Sequence, residues 1–217
     1  MNKLLLPLAG LGGAGAAGLG SYMLLKDKEE GNTTKQEATF RDKYSQAILN
    51  NESSLWTSKF TILKDGGQPK HPKLQQAKTK FTVKSDDSDA QSLHKDGCKE
   101  IYDSKVEESI YFQDFKKYCS KNVGDGVTEA WITVDKKDSS KWDPKLNKLK
   151  NHNEANQGAL DDVLKSLREK LTSGSQSTWD EGKRGELKQW CDGVKSEIFM
   201  GDADIKFANS KLYCAGA

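Results

Sequence analysis

Residues 4–25, LLLPLAGLGGAGAAGLGSYMLL, carry no charged side chain, and the chain after them is strongly polar. As an α-helix a run of this length spans roughly 33 Å, against the ~30 Å hydrocarbon core of a bilayer. Lys3 and the amino terminus form a short positive start, and Lys26-Asp27-Lys28-Glu29-Glu30 ends the run abruptly. A cleaved export signal has a shorter apolar stretch with small residues at its end. Here small residues fill the middle, and Tyr22, Met23, Leu24 and Leu25 stand at the end. That order favours an uncleaved signal-anchor over residues 1–25, a single-pass transmembrane helix. No cysteine follows directly, so a lipid-modified cysteine anchor is not expected.

The glycines of this segment have competing readings. Gly10, Gly15, Gly18 and Gly20 could form a small-residue face that packs against another membrane helix, or belong to a weakly hydrophobic signal without a partner. Gly10-Leu11-Gly12-Gly13-Ala14-Gly15 also matches the dinucleotide fingerprint G-x-G-x-x-G. That motif needs a strand before it and an amphipathic helix after it. Pro7 interrupts the strand, the helix would have no polar face, and no βα alternation follows, so no cofactor is expected.

The remainder is close to neutral. The whole chain holds 34 Lys+Arg against 32 Asp+Glu, and its mean hydropathy is −0.79 even with the apolar start included. Basic and acidic residues alternate as on solvated helix surfaces. The absence of a long basic run argues against a nucleic-acid partner.

Residues 26–38 read as a polar linker. Beyond them the apolar spacing is mostly helical. Phe40, Tyr44, Ala47 and Ile48 share a face, as do Trp56, Phe60 and Leu63, and Tyr111, Phe115, Tyr118 and Cys119. Leu160, Val163, Leu164, Leu167 and Leu171 form one stripe, and Leu187, Trp190, Cys191, Val194 and Ile198 another. Asp143-Pro144 predicts a helix start with proline at the first position, and Thr178 to Glu181 has capping-box spacing. Only residues 81–83 and 131–134 read as strands. The expected fold class is all-α: a transmembrane helix, then a small helical ectodomain.

That ectodomain carries signs of duplication. Ser53-Ser54-Leu55-Trp56 with Lys59, Leu63 and Lys64 matches Ser139-Ser140-Lys141-Trp142 with Lys145, Leu149 and Lys150 at an offset of 86. Each segment precedes two cysteines, 21 and 23 residues apart, and both second cysteines follow a tyrosine. The division expected is a helical unit over 39–123 and another over 128–217, with Trp56 and Trp142 as the repeated aromatics. A rival alignment sets Phe115–Cys119 against Leu187–Cys191.

All four cysteines, Cys98, Cys119, Cys191 and Cys214, follow the apolar run. Outside a cell an even number favours disulfides, most simply Cys98–Cys119 and Cys191–Cys214. Inside a cell they would be buried thiols. His94 and Cys98 stand four apart, but two ligands fall short of a metal site. His71, His94 and His152 are isolated among polar residues and read as surface residues. Trp131 and Trp179 read as the exposed tryptophans. No local pattern supports a catalytic nucleophile, so no catalytic residue and no metal are expected.

The start MNKLLLPLAGLGGAGAAGLGSYMLL, the polar linker, the W-x-x-K-x-x-x-L-K segments and the late L-K-Q-W-C helix together resemble the large paralogous families of short proteins in haemotropic mycoplasmas. This chain carries a further tryptophan-and-cysteine module beyond the simplest pattern of those families. The resemblance implies a wall-less bacterium, a surface location and a role in host contact or antigenic variation. The expectation is a non-enzymatic protein of the cell membrane, its soluble part extracellular. Its partners would be membrane lipid, through the N-terminal helix, and host or neighbouring surface molecules. The alternative is an intracellular membrane-associated scaffold with reduced thiols.

Overall fold

The spacing of buried apolar residues sets the helices of the computed structural model, which describes residues 37–51, 53–83, 88–173 and 178–216. The apolar run, its glycines and most of the linker lie outside these residues. Among the described residues no helix is long and apolar enough to cross a membrane.

The described part is all-helical. Its helices are α1 (Phe40–Lys43), α2 (Leu55–Asp65), α3 (Pro72–Val83), α4 (Ser88–Asp103), α5 (Phe112–Asp114), α6 (Val123–Gly126), α7 (Ser139–Lys150), α8 (Glu154–Gln157), α9 (Asp162–Thr172), α10 (Glu181–Lys195) and α11 (Ile205–Tyr213). A single π-helical turn, Phe115–Cys119, continues α5. Extended pairing among these residues is confined to isolated bridges.

Several local expectations change. Residues 81–83 end α3, because Leu74, Ala77 and Phe81 recur at i, i+3, i+7 and all three are buried. Trp131 makes one bridge, to Ala215, and no strand. Pro144 lies inside α7 rather than at its start. It removes one backbone donor, and the burial of Trp142, Leu146 and Leu149 holds the helix together across it. The cap of α10 is Asp180, which accepts from Lys183 N, and not Thr178. In α9 the buried stripe is Leu164, Leu167 and Leu171, while Val163 is exposed.

Two apolar clusters fill the interior. One joins Phe40, Trp56, Leu63, Leu74, Ile101, Phe115 and Tyr118 with others of the first half, and takes Ile198 from the second. The other joins Trp142, Leu146, Leu149, Leu164, Leu187, Phe207 and Tyr213 with others of the second half. Disulfides tie α4 to the π turn (Cys98–Cys119) and α10 to the end of α11 (Cys191–Cys214), with Cα separations of 5.2 and 5.5 Å. Each bridge contributes roughly 3 kcal/mol in the chain-entropy model.

Hydrogen bonds of the two halves correspond in order along the chain. Thr39 and Asn122 open α1 and α6 with capping boxes closed by Asp42 and Asp125. Phe40 N donates to Ser104 O, and Val123 N to Glu197 O. Lys121 N donates to Ala47 O, and Gly216 N to Ala130 O. The indoles of Trp56 and Trp142 donate back to Asn50 O and Asp135 O, at 2.7 and 3.2 Å. Asp114 accepts Lys70 N and His71 N before α3, and Asn209 accepts Asp161 N before α9. Ile132 N donates directly to Cys214 O at 2.8 Å. In the first half the Tyr102 hydroxyl is inserted at this point, accepting from Leu49 N and donating to Cys119 O.

Candidate functional site

The first half carries a groove where α2 and α4 flank residues 48–51 and Ser53. Its two lobes, of about 370 and 610 Å³, meet at Asn51, Trp56 and Lys95. The smaller lobe adds Phe60, Lys64 and Phe81, with hydroxyls from Thr57 and Thr61 and the Gln91 amide. The larger adds Arg41, Lys99, Asp96 and Tyr102. Helical spacing puts Trp56, Phe60 and Lys64 on successive turns of α2, and Gln91, Lys95 and Lys99 on successive turns of α4.

Within the groove, Lys95 lines both lobes. Its Nζ stands 5.6 Å from the centre of the Trp56 ring and 3.4 Å from Asn51 O. The Trp56 indole N–H is already committed to Asn50 O, so the ring serves as an apolar wall. Arg41 is braced by Asp103 at 2.8 Å. Burial pushes the Tyr102 hydroxyl well above the ordinary tyrosine range, so it stays a neutral hydrogen-bonding group. The groove therefore offers the half-buried Phe60 ring, amides, hydroxyls and an excess of cations, over a floor of the buried Trp56, Phe81 and Tyr102 rings. The second half's cleft, lined by Glu154, Lys165, Arg168, Glu169 and Thr172, has no aromatic wall and mixes charges.

His94 lies directly beneath Trp56 and Phe60, both packed edge-on to its ring at 5.4 and 4.6 Å. Its Nε2 bonds Tyr118 O at 2.9 Å. Burial, with Lys95 nearby, drives its pKa down to about 4. The imidazole is neutral near pH 7.

The histidines are buried, against the surface reading: His71, His94 and His152 are 5%, 0% and 3% exposed. Distant segments cover them. His152 lies between Tyr213 OH and Gly158 O. His71 faces Glu100 at 3.3 Å and packs edge-on against Tyr111, and burial lowers its pKa. Trp179 is also buried, its indole donating to Asn147. Trp131 is half-buried beneath Lys195. Trp56 and Trp142 are core residues, one in each cluster.

The sequence reading missed Lys59. It is 1% exposed, and its ammonium bonds Asn122 Oδ1 at 2.6 Å and Asp125 Oδ2 at 2.7 Å. It thus ties α2 to the capping box of α6. Its counterpart Lys145 bonds Ala215 O at 2.6 Å. The signal available was its place, three residues after Trp56 on the apolar side of α2.

No protein-family model matches the chain, and neither a curated protein nor a solved structure matches it significantly.

Proposed function

We propose that this is a non-enzymatic surface protein, held in the cell membrane by residues 1–25, whose extracellular helical part contacts host molecules through the Trp56–Lys95 groove. The ligand class we assign is an acidic glycan. The observation that carries this reading is the groove's composition, the half-buried Phe60 ring flanked by amides and hydroxyls and rimmed by Lys64, Lys95, Lys99 and Arg41. Sugar C–H faces pack on aromatic rings, sugar hydroxyls bond amides and hydroxyls, and carboxylates pair with lysine and arginine. The bonded cysteines are consistent with an oxidising location, since disulfides persist outside the cell and are rare in the cytosol.

The test is binding of the full-length protein, in detergent, to arrays of acidic and neutral glycans. Lys95→Glu is expected to lower acidic-glycan binding at least tenfold, while Lys165→Glu in the second-half cleft leaves it unchanged. Equal loss in both variants, or no preference for acidic over neutral glycans, would overturn the assignment.

A further inference from the structure

Beneath the groove, the structure gathers three buried residues of metal-ligating type. His94 and Cys98 are on successive turns of α4, and Cys119 ends the π turn that packs against it. A ring nitrogen of His94 and the two sulfurs lie within 4.8 Å of one another. All three residues are fully buried. A carbonyl oxygen only accepts, so the His94 Nε2–H must donate to Tyr118 O. Nδ1 then carries the ring's lone pair, and it has no hydrogen-bond partner. A buried, unpartnered ring nitrogen is costly unless something else uses it.

We propose that reduction of the Cys98–Cys119 disulfide converts this cluster into a zinc site made of His94, Cys98 and Cys119. A dithiol reductant supplies two electrons and two protons, closing to its own cyclic disulfide as the Cys98–Cys119 bond breaks to two thiols. Zinc then displaces both thiol protons to solvent and binds two thiolates and the neutral imidazole. The ensemble has no net charge, which suits a buried site. The Tyr118 carbonyl holds the imidazole tautomer, as outer-sphere partners of metal-bound histidines do. One pair of cysteines is thereby a cross-link under oxidising conditions and a pair of metal ligands under reducing ones.

The second half is an internal control. Cys191–Cys214 corresponds to Cys98–Cys119, and four residues before Cys191, where α4 carries His94, α10 carries Leu187. Among the described residues that pair has no third ligand. The proposal stands apart from the groove's ligand, because it concerns the cluster under the groove and is read by metal binding alone.

The experiment is a cobalt titration of the full-length protein in detergent, after anaerobic reduction with dithiothreitol and its removal. Cobalt stands in for zinc and reports thiolate ligation through near-ultraviolet charge-transfer bands. The expected result is one equivalent bound per chain, displaced by zinc, and none before reduction. Cys191→Ser with Cys214→Ser keeps that equivalent, and Cys98→Ser with Cys119→Ser abolishes it. His94→Leu lowers the affinity at least tenfold. Absence of thiolate bands in the reduced protein would overturn the proposal. So would unchanged affinity in a folded His94→Leu protein. Should His94→Leu fail to fold, the Cys191/Cys214 double variant decides alone, and loss of binding there refutes the site.

Discussion

Replacing Lys59 with methionine keeps the length of the side chain and removes its charge. The native ammonium is 1% exposed and makes two short bonds, to Asn122 and Asp125. Removing one partner of a buried ion pair costs about 3–5 kcal/mol, chiefly because the other is left uncompensated. Asp125 is 23% exposed and keeps its bond from Asn122 N at 2.8 Å, so the lower end applies, about 3 kcal/mol. For a domain of this size that corresponds to a fall in Tm of roughly 6–12 °C. Lys145→Met is the matched comparison. Lys145 is only half-buried and gives up a bond to Ala215 O, so its cost is about 1 kcal/mol. The assay is thermal and urea unfolding followed by far-ultraviolet circular dichroism. A Lys59→Met protein within 1 kcal/mol of wild type, or a Lys145→Met protein equally destabilised, would refute the claim that Lys59 locks α2 to α6.

Other outcomes follow from the same contacts. Reduction of either disulfide, or its replacement by alanines, should lower stability by roughly 3 kcal/mol, measured by denaturant unfolding. Trp142→Ala removes a wholly buried side chain and should cost about 3–5 kcal/mol in the same assay. His94 has a folded pKa of about 4 against an ordinary 6.5, so the unfolded chain binds more protons between these values. Stability is therefore full above pH 6.5 and falls as pH drops toward 4, by up to roughly 3 kcal/mol. The groups around the ring are Lys95, the Tyr118 carbonyl and the Trp56 and Phe60 rings. His94→Leu should remove this share of the fall while leaving the share of His71, whose pKa moves in the same direction.

What the sequence made legible was the part governed by local periodicity. Leu74, Ala77 and Phe81 in α3 and Leu164, Leu167 and Leu171 in α9 bury one face each, and the all-helical class follows from such stripes. The cysteine pairing was legible because chain-order pairing gives the shortest loops. The histidines were not, because each is covered by a segment far along the chain: His94 by the Tyr118 carbonyl, His152 by Tyr213. Local polarity around a histidine says nothing about such partners. Pro144 misled for a related reason, since long-range burial of Trp142 and Leu146 outweighs one lost backbone bond. The groove was illegible because α2, α4, residues 48–51 and Ser53 build it together.

The central claim, an exported protein closed by disulfides, is tested most directly by the thiol state of the protein in its own cells. Cells are trapped in denaturant with a light alkylating reagent, then reduced and labelled with its heavy form, and the sites are mapped by mass spectrometry. The account requires heavy label at Cys98, Cys119, Cys191 and Cys214. Light label at all four would show reduced thiols in the cell and contradict it.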